Sequence, residues 1–192
     1  MVFYDVAVIV GSIRKESTTR RLVNALAAIA PSSITLRIVE IKSLPFYSQD
    51  LESKPTQAEI DFRNAVASAD AVLFATPEYN RSIPGVLKNA VDIGSRPYGH
   101  SIWNGKPAAV MSVSPGALAA FGANHHLRQS LVFLNMPTLA QPEAYIGNAA
   151  ALVDETGKIT NKETREFLLA FLTQFATWIS NNTQKGPKTL AA

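Results

Sequence analysis

Three short stretches carry the residues that could do chemistry. The first is Gly11-Ser12-Ile13-Arg14-Lys15-Glu16-Ser17-Thr18-Thr19. Its glycine, hydroxyls and arginine stand between an apolar run and an amphipathic one. A loop of that make-up at a helix start gathers backbone N–H groups, the positive end of the helix dipole and hydroxyl donors, which together bind an anion. Arg14 adds a guanidinium able to hold a phosphate in bidentate fashion. The second stretch is Thr76-Pro77-Glu78-Tyr79-Asn80-Arg81-Ser82-Ile83-Pro84-Gly85, long for a connection and holding two prolines, an aromatic and an amide. The third is Ser114-Pro115-Gly116-Ala117-Leu118-Ala119-Ala120-Phe121-Gly122, built mostly of small residues. The first stretch is neither Gly-x-Gly-x-x-Gly nor a phosphate loop ending in Gly-Lys-Ser/Thr, which disfavours a dinucleotide fold and a nucleotide triphosphatase.

Each stretch must be held by what flanks it. Val2 to Val10, Ala71 to Ala75 and Lys106 to Val113 are apolar runs of the kind buried on both faces of a parallel sheet. Ile34 to Ile41 is a second strand, and a last one falls within Thr138 to Ile146, interrupted by Pro142. Between them run helical patterns: Leu22, Val23, Leu26 and Ile29; Ile60, Phe62, Ala65 and Val66; Ile83, Val86, Leu87, Ala90 and Val91; Leu127, Leu131, Val132 and Leu134. A final helix carries Phe167, Leu168, Phe171, Leu172, Phe175, Trp178 and Ile179. Ser17 is the expected N-cap of the first helix, Thr56-x-x-Glu59 a capping box for the second and Thr160-x-x-Glu163 the cap of the last. Strands alternating with helices imply a parallel sheet covered on both faces. Five strands fit the doubly wound, flavodoxin-like order 2-1-3-4-5, in which the loops after strands one, three and four meet at one crevice. Those are the three stretches above.

Composition narrows the chemistry. The chain has 192 residues, 47% of them hydrophobic, enough for one domain with its own core, expected over 1–181 with a polar tail at 182–192. It contains no cysteine, which excludes disulfides, thiol catalysis and thiolate metal sites. Redox chemistry would then need a bound organic cofactor. The net charge of +3 suits a phosphorylated ligand but supplies no dense basic stripe for nucleic acid. No apolar run is long enough for a membrane span, and the chain opens directly into a strand, so the expected location is cytoplasmic. His125 and His126 are adjacent and diverge on a helix, and His100 has no partner nearby, so no metal site is expected. No Ser–His–Asp or paired-carboxylate pattern supports hydrolysis.

The motifs Gly11-Ser12-x-Arg14-x-x-Ser17, Pro77-Glu78-Tyr79-Asn80-x-Ser82-x-Pro84-Gly85-x-Leu87-Lys88-Asn89 and Ser112-x-Ser114-Pro115-Gly116 resemble those of NADPH-dependent FMN reductases, a flavodoxin-like family that includes bacterial quinone, chromate and azo reductases. Leu127-Arg128-Gln129 is also similar. The resemblance implies FMN as cofactor and NADPH or NADH as co-substrate. Hydride passes from nicotinamide to flavin, and two electrons go on to a quinone or similar small acceptor. It also implies that Ser12, Arg14, Ser17, Thr18 and Thr19 hold the FMN phosphate, that Pro77, Glu78, Tyr79 and Asn80 line the flavin ring with backbone N–H groups toward its polar edge, that Ser82 belongs to the cofactor site, and that Ser114 and Gly116 approach from the other side. No side chain is expected to act as a catalytic acid or base. A homodimer or homotetramer is implied, with contacts through Gly85 to Ile93 and the Ser95-Arg96-Pro97-Tyr98 loop. Where family members often carry Gly-Gly, this chain has Ala119-Ala120, whose methyls either narrow the approach to the ring or stiffen a helix start. The competing readings are a flavodoxin-type electron carrier, which the basic charge and Arg14 disfavour, and a reductase that supplies reduced FMN to a partner monooxygenase.

Overall fold

The structure, a computed structural model, describes residues 2–183 and 188–189. The chain alternates strand and helix: β1 (Val2–Val10), α1 (Thr18–Ala28), β2 (Ile34–Val39), α2 (Gln57–Ser68), β3 (Ala71–Thr76), α3 (Gly85–Ser95), β4 (Ala108–Val113), α4 (Phe121–Phe133), β5 (Ala144–Ile146) and α5 (Lys162–Asn182). The five strands are parallel in the order β2-β1-β3-β4-β5, the flavodoxin-like arrangement expected from the sequence. A two-residue strand, β6 (Lys188–Thr189), pairs antiparallel with Val2 and Phe3. The polar tail expected over 182–192 is therefore helical at Asn182 and paired at Lys188–Thr189, while 184–187 and 190–192 lie outside the described residues.

Alternation along the strands builds two cores. Val6, Val8, Val10, Leu73 and Met111 face α1 and α5 and meet Leu22, Leu26, Phe171 and Phe175. Ala7, Ile9, Val72, Phe74 and Val110 face the opposite way, onto α2, α3 and α4, and meet Phe62, Leu87, Leu127 and Leu131. Trp103 fills the second core, wholly buried, with its indole N–H donating to the Val91 carbonyl at 2.9 Å. Gly94 makes room for it: a Cβ there would lie 2.4 Å from the indole ring.

The helix starts follow their caps, with one correction. Ser17 Oγ accepts from the Arg20 N–H at 3.2 Å, and Thr56 with Glu59 closes the capping box. The last helix, however, is capped by Asn161, whose Oδ1 accepts from the Thr164 N–H at 2.7 Å. Thr160 is drawn away because its hydroxyl donates to the Ala151 carbonyl, fixing the preceding loop. A second correction concerns Val132. It lies next to Leu131 on α4, and of these two neighbours Leu131 turns inward while Val132 stays exposed.

Candidate functional site

The exits of β1 and β3 are packed directly together. Gly11 continues the ladder through its N–H to the Ala75 carbonyl at 2.8 Å. A Cβ at Gly11 would meet Leu87 Cδ2 at 3.1 Å, Thr76 Oγ1 at 3.2 Å and Pro77 Cδ at 3.4 Å. Glycine lets the first loop run close to the second, since a methyl there would have to push these side chains back by a few tenths of an ångström. Beyond it, Ser12, Ser17 and Thr19 are buried at the start of α1. The Thr18 and Thr19 amides precede the first intrahelical acceptor and point out of the helix end. Among the described residues the hydroxyls of Ser12, Thr18 and Thr19 have no hydrogen-bond partner. Arg14 reaches back to the Glu16 carbonyl at 3.0 Å. Its neighbours are committed elsewhere: Arg20 pairs bidentately with Glu40 at 2.7 and 2.8 Å, and Arg21 donates to the Val153 carbonyl at 2.6 Å.

In the second stretch, Tyr79 and Ser82 exchange backbone hydrogen bonds at 2.9 and 3.0 Å around Asn80 and Arg81. Both central residues are left-handed, with φ of 52° and 64°. That geometry belongs to a type I′ turn, for which asparagine is well suited. The Tyr79 N–H is therefore consumed inside the turn. The Glu78 carboxylate turns toward α4, accepting from the Ala123 N–H at 3.0 Å and from Arg81 at 3.0 Å. Ser82 Oγ lies 2.7 Å from His126 Nδ1.

The third loop is fixed by the end of the sheet. Ser114 donates its N–H to the Ile146 carbonyl at 2.9 Å, and its hydroxyl accepts from the Gly116 N–H at 3.1 Å. Ala119 and Ala120 are both left-handed, with φ of 53° and 58°. A buried chain holds them there. Ser112 Oγ donates to the Ala119 carbonyl at 2.7 Å, Asn124 Nδ2 donates to Ser112 Oγ at 3.3 Å, and Arg128 Nε donates to Asn124 Oδ1 at 2.8 Å. The two methyls thus stand on a strained, pinned segment just before α4. Beyond it the Phe121 ring packs tilted against His125, whose Nε2 meets the Tyr145 hydroxyl at 2.8 Å. Burial pushes the Tyr145 hydroxyl up to about 12, so it keeps its proton at neutral pH.

These three segments enclose one cleft of about 260 Å³ at the carboxyl end of the sheet. Nine of the twelve residues expected there line it: Ser12, Arg14, Ser17, Thr18, Thr19, Pro77, Glu78, Tyr79 and Ser114. Asn80 and Ser82 shape the turn behind it, and Gly116 caps the Ser114 hydroxyl. Val113 and Pro115 also line the cleft, flanking Ser114 on both sides; Pro115 belongs to the motif read from the sequence, and Val113 was not singled out. A hydroxyl-rich pocket at a helix start, with one arginine and an apolar wall beside it, fits a phosphorylated, flat-ringed ligand. Among the described residues there is no cluster of metal-ligating side chains, and no helix is long and apolar enough to cross a membrane.

Several known proteins are similar to this chain. A family model described as NADPH-dependent FMN reductase matches residues 4–151. A quinone reductase from Pseudomonas putida is 59% identical over 180 residues, covering 93% of this chain and 96% of its own. A 2-hydroxy-1,4-benzoquinone reductase from Burkholderia sp. is 43% identical over 174 residues, covering 91% and 95%. Among solved structures, the FerB flavoenzyme NAD(P)H:(acceptor) oxidoreductase from Paracoccus denitrificans superimposes with a TM-score of 0.89 at 38% identity, covering 94% of this chain and 99% of that one.

Proposed function

The chain belongs to the family of NADPH-dependent FMN reductases, and on that premise we propose how its cleft serves the reaction and what it reduces. It is an NAD(P)H-dependent, FMN-containing oxidoreductase. When bound, FMN supplies the redox chemistry, taking a hydride from NAD(P)H and returning two electrons, with protons, to an acceptor of the quinone class.

The protein's own part is binding and positioning. The α1 amides, the hydroxyls of Ser12, Ser17, Thr18 and Thr19, and the Arg14 guanidinium hold the phosphate. The unpartnered hydroxyls at the helix start fit that role, because each can donate to a phosphate oxygen without breaking an internal bond. Pro77, Tyr79 and the Glu78 backbone form one wall for the ring, and Ser114 and Pro115 the other. Asn80, Ser82 and Gly116 act by setting the shapes of those walls. No side chain needs to serve as a general acid or base for hydride transfer, since the reacting atoms belong to donor and cofactor.

The observation that carries this reading is the meeting of the three loops in one cleft. The FMN-binding unit comprises residues 1–181. A quinone acceptor is favoured by the two relatives named for quinone reduction. We also infer a homo-oligomer, and a cytoplasmic setting in which NAD(P)H is supplied and a cysteine-free chain needs no oxidising environment. The test is the visible spectrum of the purified protein during anaerobic addition of NADPH. We expect a flavin band that bleaches and returns on addition of a benzoquinone. A flavin that neither NADPH nor NADH can bleach would mean a carrier instead.

A further inference from the structure

We propose that Glu78, Ser82, Gly122 and His126 form a latch that sets the gap between the turn at 77–82 and the loop at 114–120. That gap is where the flavin ring lies, so the inference rests on the FMN reading above. It concerns a job no local feature of the Pro-Glu-Tyr-Asn segment announces.

α4 starts in an unusual way. Its N-cap position is Ala120, left-handed and without any side chain that could accept a hydrogen bond. One of the orphan donors of the first turn, the Ala123 N–H, is met by Glu78 Oε2 at 3.0 Å, from 45 residues away. A carboxylate at a helix start is favoured by the dipole as well as by the bond. The Glu78 side chain is only 12% exposed, and its other oxygen takes a bond from Arg81 at 3.0 Å. Gly122 leaves room for this contact. A Cβ there would lie 2.9 Å from Glu78 Oε2 and 3.1 Å from the Arg81 carbonyl oxygen, so the carboxylate or the turn would have to shift.

A second fastening sits one helical turn further on. Ser82 Oγ lies 2.7 Å from His126 Nδ1, and residues 122, 123 and 126 share one side of α4. A single tie would let the turn pivot about it, whereas two ties on one helix face prevent that. Since α4 continues directly from the third loop, fixing the turn to α4 also fixes it to that loop. Glu78 and His126 are therefore positioning residues, acting on the cleft through the segments they join.

The test compares FMN with riboflavin, which has the ring and lacks the phosphate, by fluorescence titration of the apo-protein. Glu78→Ala and Gly122→Ala are expected to weaken both ligands by the same factor, about tenfold. Glu78→Gln should keep most of the affinity, because its amide oxygen can still accept from Ala123. A cap that served stability alone would lower the Tm and leave both affinities within about twofold of the parent, and that result overturns the proposal. Loss confined to FMN overturns it as well, since the effect would then run through the phosphate loop. If Glu78→Ala does not fold, Gly122→Ala and His126→Ala carry the same comparison. Failure of the unsubstituted chain to bind either flavin would refute the FMN reading instead. The latch is then judged by amide hydrogen exchange. Opening should accelerate together at 80–82 and 117–120 in Gly122→Ala, and acceleration in only one of them overturns it.

Discussion

Arg14 stands apart from the arginines that follow it in the chain. Arg20 is paired with Glu40 and Arg21 with a backbone carbonyl, so of these three arginines only Arg14 lines the cleft. Arg14→Ala should weaken FMN binding by about 1.5–3 kcal/mol, the range for a hydrogen bond to a charged group. Riboflavin binding should be untouched. Unchanged FMN affinity in a folded variant would remove Arg14 from the phosphate site. Residues such as Arg14, Ser17 and Thr19 were legible in the sequence because their chemistry lies within one loop and its helix start. The outward reach of the Glu78 and Ser82 side chains was not, because the atoms they bond are 45 and 44 residues away. The Ala119-Ala120 pair was legible only as an oddity. Its left-handed backbone depends on Ser112 and Asn124, which no local pattern connects to it.

At the scale of elements, order and type were readable and boundaries less so. The apolar runs gave β1, β3 and β4 because a strand covered on both faces has no polar side to confuse the pattern. β5 shrank to three residues after Pro142, which cannot donate to a ladder. The contact of Gly94 with Trp103 was invisible in sequence, since a glycine inside a helix gives no hint of what it faces. Gly94 lies against Trp103, so Gly94→Ala must push the indole out of a filled core or displace α3. Overpacking of that kind, with the Trp103 to Val91 bond strained as well, should cost at least about 2 kcal/mol. For a chain of this length that lowers the Tm by about 4–8 °C. A thermal scan indistinguishable from the parent would show that the indole has room to move.

The whole molecule exposes apolar side chains that call for a different kind of partner from the cleft. Away from the cleft, Phe133 is 90% exposed and Val132 75% exposed at the end of α4, beside a groove of about 360 Å³ between α3 and α4. Large exposed apolar side chains around a groove mark an interaction surface, and two-fold pairing is the commonest assembly for a soluble chain. Light scattering should give a dimer or a larger even-numbered assembly at micromolar concentration, and Phe133→Glu should reduce it. A monomer in the parent protein would exclude this surface as a subunit contact. The cleft itself has another consequence. Its floor is the carboxyl end of the sheet and its sides are the three loops, and if one open face serves both substrates the order of their entry is constrained. Donor and acceptor then take turns: the spent nicotinamide must depart before a quinone can arrive, and each in excess holds the door against the other. Initial rates with both substrates varied should give parallel reciprocal plots, with either substrate inhibiting at high concentration by competing with its counterpart. Intersecting lines would mean that two separate entrances exist.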